Sequence, residues 1–190
     1  GGELSGTIDE SIRHAVTKFS HYHFVSNKEA RKRVLQLGEG KSNIFEIGSP
    51  DIDIMYSEEL PSIQDVKTRY QIKYDSYGIV IYHPVTTEVD QVEKNVDEFI
   101  SALIESKKNY VVIYPNNDEG SKIIEKAYKK LESNEHFRLF PSIRFEYFLT
   151  LLKQSDFIIG NSSSGIREAH IYGIPAINVG TRQKGRIDSD

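Results

Sequence analysis

From residue 78 onward, the chain alternates short apolar runs with longer stretches in which apolar residues recur at helical spacing. The apolar runs are "GIVIYHP" (78–84), "YVVIYP" (110–115), "FRLFP" (137–141), "DFIIG" (156–160) and "PAINVG" (175–180). The helical patterns lie at about 88–106, 119–133, 144–154 and 164–172. Continuously apolar strands that alternate with helices are typical of a parallel sheet covered on both faces. We therefore predict an α/β fold with a Rossmann-like layer of about five strands, in which ligands bind beyond the carboxyl ends of the strands.

The first 50 residues predict a smaller set of elements. "TIDESIRHAVTKFSHY" predicts a helix with one apolar stripe, formed by Ile12, Ala15, Val16 and Phe19. "HYHFVS" and "NIFEIGSP" predict short strands, and "NKEARKRVLQLGEG" predicts a helix that begins at Asn27 and ends at Gly38. We expect three parts in the chain: the incomplete end of an N-terminal domain at 1–50, a polar connection at 51–77 with a helix near 62–72, and a Rossmann-like domain at 78–190 whose C-terminus is also incomplete.

Composition narrows the class of protein. With 38% hydrophobic and 27% charged residues, the chain can build an ordinary globular core. The net charge of −4 gives no electrostatic reason to expect nucleic acid or an anionic membrane as a partner, and no apolar stretch is long enough to span a bilayer. The absence of cysteine excludes disulfides and thiolate metal sites. His21 and His23 share one side of a predicted strand, but they lack an evident third ligand. We expect a cytoplasmic protein that uses no metal or cofactor.

The predicted strand ends carry the candidate chemistry. His83 directly follows the first apolar run, in "YHPVTTEVD", close to Thr86 and Thr87. A histidine there can hydrogen-bond a ligand or, when protonated, pair with a phosphate, and it can equally hydrogen-bond a loop carbonyl. After the second run, "YPNNDEGSK" places Asn116 and Asp118 where they could contact sugar hydroxyls, although any strand-to-helix turn favours these residue types.

Three consecutive serines follow the fourth run, in "IIGNSSSGIREA". The pattern places Ser162, Ser163 and Ser164 around a helix N-terminus, where free N–H groups and the helix dipole attract phosphate. Gly165 would let a ligand come close to the main chain. One serine would be enough to cap the helix, so three serines with a glycine predict phosphate binding.

Further residues fit a nucleoside diphosphate and a sugar. Glu168 could accept hydrogen bonds from ribose hydroxyls, or it could be a solvated helix acid. Arg182 and Arg186 lie in the loop after the last apolar run, and arginine suits anionic oxygens. Near the start, Asp9 and Arg13 are four residues apart on one helical face, a spacing that favours a helix-stabilising pair. A carboxylate held near a sugar carbon could also act as an acid or a base.

Together these motifs resemble the hydrolysing UDP-N-acetylglucosamine 2-epimerases of sialic acid biosynthesis. The motifs are "GGELSGTIDESIRHAVTKFSHYHF", "HPVTT", "YPNNDEGSK", "GNSSSGIREA" and "INVGTRQKGR", and the resemblance runs through nearly all 190 residues. It implies the GT-B arrangement, in which two Rossmann-like domains hold the substrate between them. This chain would be the C-terminal, nucleotide-binding half together with the end of the catalytic half.

The resemblance also implies a reaction and its residues. A base removes the proton from C2 of the sugar while UDP leaves C1, water adds to the resulting glycal, and N-acetylmannosamine is released with UDP. By matching motif, Asp9 corresponds to a catalytic carboxylate, and His83 to the histidine near the diphosphate. The implied UDP-sugar contacts are Arg13, Asn116, Asp118, Ser162, Ser163, Ser164, Gly165, Glu168 and Arg182.

The family has another essential acid, in a "His-Ile-Glu"-like segment that would lie just before this sequence begins. We therefore expect the 190-residue chain alone to be inactive and the full-length protein to act on UDP-N-acetylglucosamine as a dimer. Four alternatives stay open: a non-hydrolysing epimerase, a GT-B glycosyltransferase, a non-catalytic nucleotide-binding module, and a 2-epimerase for a diacetamido UDP-sugar.

Overall fold

A computed structural model describes residues 1–2, 8–85 and 88–183, with the side chains of residues 8, 9 and 89 outside that description. The chain divides into two compact units, Gly1–Ser57 and Glu58–Asp190. The division after Ser57 lies inside the stretch that the sequence predicts as a connection.

The first unit is a small α/β layer. Its helices are α1 (Ile8–Phe19), α2 (Lys28–Gln36) and α3 (Pro50–Met55), and its strands are β1 (His23–Val25) and β2 (Ile44–Glu46). The two strands pair in parallel. A core beneath α2 consists of Val25, Ala30, Val34 and Ile44. The Asn27 side chain accepts a hydrogen bond from the Ala30 N–H at 2.8 Å, so the predicted start of α2 is confirmed.

Two apolar surfaces of the first unit are open. On the predicted stripe of α1, Ile12, Val16 and Phe19 are 55%, 56% and 86% exposed. On the outer face of the β1–β2 pair, the rings of Phe24 and Phe45 stack with centroids 5.6 Å apart and are 61% and 42% exposed. Among the described residues of this unit, these surfaces lack the second covering layer that parallel sheets usually have.

The second unit is built on a five-stranded parallel sheet. Its strands are β3 (Gly78–Ile81), β4 (Tyr110–Ile113), β5 (Phe137–Phe140), β6 (Phe157–Gly160) and β7 (Ala176–Asn178). Its helices are α4 (Ile63–Tyr70), α5 (Val92–Glu105), α6 (Ser121–Tyr128), α7 (Phe145–Lys153) and α8 (Glu168–Tyr172). The strand order is β5–β4–β3–β6–β7, and every neighbouring pair is parallel. The predicted α/β class with a Rossmann-like parallel sheet is confirmed.

The sheet forms because its central strands bury side chains on both faces. Ile79 and Val80, which are neighbours on β3 and so point to opposite faces, are both 0% exposed. Val80 and Val112 share one cluster with Val96 and Ile100 of α5. Full burial of each aliphatic side chain stabilises the fold by about 1.5–3 kcal/mol. The strand interiors therefore fix the sheet and leave the polar strand ends available for a site.

The sequence pattern overestimates the length of the elements at the carboxyl edge of the sheet. β3 ends at Ile81, although the apolar run continues to residue 84, because a side chain rather than a neighbouring strand bonds the main chain of His83. The helix predicted at 164–172 begins only at Glu168, because a short 3-10 turn precedes it. Apolar content alone does not show where main-chain pairing stops.

Candidate functional site

The candidate site lies at the carboxyl edge of the five-stranded sheet. In the order β5–β4–β3–β6–β7, the chain first builds outward from β3 on one side and then returns to the other side with β6. Ligands of open parallel sheets bind at such a switch point, beyond the carboxyl ends of the two central strands. Here His83 follows β3 and the serine segment follows β6, so the fold brings two of the predicted motifs to one place.

The loop after β4 holds the ring of His83. The Nδ1 atom accepts a hydrogen bond from the Asn116 N–H at 3.2 Å, so the neutral ring carries its proton on Nε2. Burial and, to a smaller extent, the charge of Arg182 lower the pKa of His83 to about 4. At neutral pH His83 is therefore an uncharged ring that can donate from Nε2–H, not a cation that pairs with a phosphate.

A buried asparagine joins His83 to the end of β6. Asn161 is 1% exposed. Its Oδ1 accepts from the His83 N–H at 2.7 Å, and its Nδ2 donates to the His83 carbonyl at 2.8 Å. The Asn161 carbonyl accepts from Gln183 Nε2 at 2.8 Å and from Arg182 at 3.4 Å. Sequence reasoning misses Asn161, because asparagine is an ordinary residue after a strand and only its burial against main-chain polar groups distinguishes it.

The serine segment forms a 3-10 turn, Ser163–Gly165, and not the first turn of an α-helix. Ser162 precedes this turn, and its Oγ accepts a hydrogen bond from the Ser164 N–H at 3.3 Å. The prediction of an α-helix N-terminus at the serines is wrong, because α8 begins only at Glu168. The N–H groups of Gly165 and Ile166 bond carbonyls three residues back, as in a 3-10 helix, and the N–H of Arg167 bonds the Ser163 carbonyl four residues back. In the part of the chain that the structure describes, the hydroxyls of Ser163 and Ser164 have no hydrogen-bond partner, so both can bond a ligand.

Two residues flank the serine turn. Gly160 ends β6 with φ at 141°, and a Cβ at this position would overlap the Ile81 carbonyl oxygen of β3. Only glycine allows the two strand ends to come this close. Glu168 begins α8, and its Oε2 is buried without a hydrogen-bond partner among the described residues. A buried carboxylate oxygen in that state is ready to accept hydrogen bonds from hydroxyls of a ligand.

The loops after β4 and β7 meet through an ion pair. Arg182 Nη2 lies 3.7 Å from Asp118 Oδ2. The Asn116 side chain is exposed, while its N–H holds His83. Four predicted residues from three different loops, His83, Asn116, Asp118 and Arg182, are therefore joined in one connected group.

Other predicted residues are not placed in this group. Thr86, Thr87, Arg186 and the side chain of Asp9 lie outside the described residues. Arg13 is half-buried on α1 of the first unit. The roles predicted for Asp9 and Arg13 stay predictions.

Of the residues that the structure describes, no helix is both long and apolar enough to cross a membrane. In the same residues, no three side chains of histidine or acidic type are grouped so that they could hold a metal ion.

Sequence comparison finds one matching family and several similar proteins. The family profile described as UDP-N-acetylglucosamine 2-epimerase matches residues 1–190. A UDP-N-acetylglucosamine 2-epimerase of Neisseria meningitidis serogroup B is 52% identical over 98% of this chain and 49% of its own length. The polysialic acid biosynthesis protein P7 of Escherichia coli is 38% identical over 98% and 49% of the two chains. The UDP-N,N'-diacetylbacillosamine 2-epimerase (hydrolyzing) of Legionella pneumophila is 35% identical over 100% of this chain and 51% of its own length.

Structural comparison agrees with the sequence comparison. The crystal structure of UDP-GlcNAc 2-epimerase from Neisseria meningitidis bound to UDP-GlcNAc superposes with a TM-score of 0.70 at 19% identity, over 93% of this chain and 50% of that chain. Such neighbours are of GT-B type, so the shared fold is that of half a GT-B protein. The chain spans about half the length of the curated relatives it matches. Because the family profile matches from the first residue to the last, this chain belongs to the UDP-N-acetylglucosamine 2-epimerase family.

Proposed function

We propose that the full-length protein is a hydrolysing UDP-N-acetylglucosamine 2-epimerase and that this chain carries its UDP-binding half. Family membership supports epimerase chemistry on a UDP-sugar. The similarity to the Neisseria epimerase supports UDP-N-acetylglucosamine as the substrate, and the similarity to the Legionella enzyme supports the hydrolytic outcome. The observation that carries the proposal is the placement of His83 and Arg182 beside the serine turn at the switch point of the sheet.

The geometry suits a nucleoside diphosphate. Arg182 supplies a permanent positive charge for the phosphate oxygens. His83 supplies an uncharged Nε2–H donor, and the hydroxyls of Ser163 and Ser164 supply two more donors. We assign the buried Oε2 of Glu168, which lacks a hydrogen-bond partner among the described residues, to the hydroxyls of a ribose. Each of these groups recognises a part of UDP and none requires a metal ion.

The proposed reaction proceeds in two stages. A carboxylate, for which Asp9 is the candidate, removes the C2 proton of the sugar while the bond from C1 to the UDP oxygen breaks. The electrons of the C2–H bond form the C1–C2 double bond, and UDP leaves with the electrons of the broken C1–O bond. Water then adds its hydroxyl to C1 and a proton to the opposite face of C2, which gives N-acetylmannosamine. His83 and Arg182 stabilise the negative charge that develops on the departing diphosphate.

Proton NMR of UDP-N-acetylglucosamine in D2O with the full-length protein tests this proposal. We expect free UDP and N-acetylmannosamine that carries deuterium at C2. UDP-linked N-acetylmannosamine would move the protein to the non-hydrolysing branch. An unchanged spectrum would contradict an epimerase of this substrate.

The 190-residue chain alone is expected to bind UDP without turning over UDP-N-acetylglucosamine. It spans about half the length of its curated relatives, and the family resemblance implies a further essential acid outside these 190 residues. Isothermal titration with UDP checks binding, and an assay of UDP release from UDP-N-acetylglucosamine checks the absence of turnover. Release of UDP by the 190-residue chain that Asp9→Asn abolishes would refute it.

A second candidate function is the same hydrolytic epimerisation of a diacetamido UDP-sugar. The 35% identity to the Legionella enzyme named for UDP-N,N'-diacetylbacillosamine favours it. The ratio of kcat/KM for the two sugars, measured with the full-length protein in one competition experiment, separates the candidates. A ratio in favour of the diacetamido sugar would overturn our choice of substrate.

We further propose a cytoplasmic protein that serves sialic acid biosynthesis, a role supported by the similarity to the polysialic acid biosynthesis protein P7, and the family resemblance suggests a homodimer. Analytical ultracentrifugation of the full-length protein tests the dimer, and a sedimentation coefficient of a monomer at micromolar concentration would contradict it.

A further inference from the structure

We propose that Asn161 is a positioning residue that fixes the main chain of His83, and through it the imidazole, at the diphosphate subsite. The proposal depends on the proposed function only in the identity of the ligand, because the effect on His83 can be measured without one. The Asn161 side chain acts through His83, so its role differs from that of the residues that contact UDP.

The side chain of Asn161 continues the β3–β6 pairing where the strands end. The last main-chain bond between the two strand ends runs from the Asn161 N–H to the Ile81 carbonyl at 3.1 Å. Beyond it, the Asn161 amide bonds both main-chain polar groups of His83, accepting from the N–H at 2.7 Å and donating to the carbonyl at 2.8 Å. Two bonds of opposite polarity to one residue fix that residue on both sides of its Cα.

Asn161 is itself buried at the end of β6. It is 1% exposed, and the side chain of Gln183, which donates to its carbonyl at 2.8 Å, is 0% exposed. Gly160, the preceding residue, brings the end of β6 against the Ile81 carbonyl, and no other residue type fits there. These contacts hold the main chain of Asn161, so its side-chain amide is aligned with the two His83 groups that it bonds.

The orientation of the His83 ring follows from its main chain. With the main chain held by Asn161, Nδ1 meets the Asn116 N–H at 3.2 Å and the Nε2–H is left for the ligand. Among the described residues, the two Asn161 side-chain bonds are the hydrogen bonds that hold the main chain of His83 itself opposite Asn116. Without them the ring would sample both neutral tautomers, and part of the population would offer a lone pair to the diphosphate in place of a donor.

The test uses the 190-residue chain with Asn161→Leu, which keeps the size of the side chain and removes its hydrogen bonds, and Asn161→Asp, which keeps only the acceptor for the His83 N–H. Nitrogen-15 NMR of the His83 ring reports the tautomer, and isothermal titration reports UDP affinity. In the wild-type chain we expect an unprotonated Nδ1 and a protonated Nε2. In Asn161→Leu we expect the two nitrogen signals to move toward each other and UDP affinity to fall about tenfold, with Asn161→Asp between the two.

Asn109→Leu is the matched control. The Asn109 side chain donates to the Ser76 carbonyl at 3.3 Å and bonds His136 Nδ1 at 2.9 Å, at the opposite edge of the same sheet. This variant loses hydrogen bonds of the same kind, and we expect the His83 signals and UDP affinity to stay those of the wild type.

The outcomes separate this proposal from the proposed function. If Asn161→Leu does not fold, Asn161→Asp decides with the same two measurements. A folded Asn161 variant that keeps the wild-type tautomer and the wild-type UDP affinity would overturn the proposal. If the wild-type chain does not bind UDP, the proposed UDP-binding function is contradicted. The nitrogen-15 signals of His83 then still decide whether Asn161 positions the ring.

Discussion

The neutral state of His83 makes the second unit sensitive to acid. Its pKa in the folded chain is about 4, whereas an unperturbed histidine has a pKa of about 6.5. As the pH falls through this window, the unfolded chain binds the proton first. The stability that comes from keeping His83 neutral is therefore fully present above about pH 6.5 and is lost between about pH 6.5 and pH 4.

We expect the free energy of unfolding of the wild-type chain to fall by about 1–2 kcal/mol relative to that of His83→Gln between about pH 7 and pH 5. Glutamine can offer similar hydrogen bonds but does not titrate. Urea unfolding of both proteins at several pH values measures the difference, in which the titrations of other groups cancel. Parallel pH profiles would show that His83 is not held neutral.

Arg182 acts on the same histidine through its charge. Because burial and then Arg182 lower the pKa of His83, we expect Arg182→Gln to raise this pKa toward its ordinary value and to weaken UDP binding by about tenfold or more. Arg182→Lys keeps the positive charge and serves as the control, so the pKa of His83 should stay low in it. NMR titration of the ring and isothermal titration with UDP give both values, and an unmoved pKa in Arg182→Gln would contradict the role of this charge.

At the scale of elements, the sheet could be predicted from the sequence and the shape of its edge could not. Continuous apolar runs determine the five strands of the second unit, and residues directly after such runs must lie at a sheet edge, so His83 and Arg182 could be placed in advance. The conformation of the serine turn could not be predicted, because the same residues could form a 3-10 turn or the first turn of an α-helix after β6. Asn161 could not either, since its role arises from the contact of two strands that are distant in sequence.

Gly160 tests the close approach of β3 and β6. A Cβ at this residue would overlap the Ile81 carbonyl oxygen, so Gly160→Ala must push β6 away from β3 and is expected to cost about 3 kcal/mol or more of the free energy of unfolding. Gly173 has φ at 68° with no atom within 4 Å of a built Cβ. Gly173→Ala should therefore cost only the backbone strain, about 1–2 kcal/mol. Urea unfolding of the two variants checks the order, and equal losses would mean that the strand ends are not in tight contact.

At the scale of the whole molecule, the two units differ in how completely they cover their apolar surfaces. The sheet of the second unit has buried central strands, whereas Phe24 and Phe45 of the first unit stack on an open face. Open apolar surface of this kind attracts other apolar groups from solution. The 190-residue chain should therefore have an exposed apolar surface on the first unit that binds other apolar molecules.

We expect the 190-residue chain to bind the dye ANS and the double variant Phe24→Ser, Phe45→Ser to bind clearly less of it. Ile104→Ser is the control, because Ile104 is an aliphatic side chain that is 40% exposed on α5 of the second unit and is not part of the Phe24–Phe45 stack. ANS fluorescence at equal protein concentration makes the comparison. If the double variant keeps the fluorescence of the wild type, the open face is not the dye-binding surface.

The way in which His83 is held sets the terms for redesigning this site. Residue 116 contributes its main-chain N–H to the histidine, so any residue except proline can supply the same bond. Residue 161 contributes its side-chain amide, so its identity is fixed. A mutant library aimed at a different sugar nucleotide can therefore vary residue 116, with proline left out, for new ligand contacts, while position 161 is left as asparagine to keep the histidine in place.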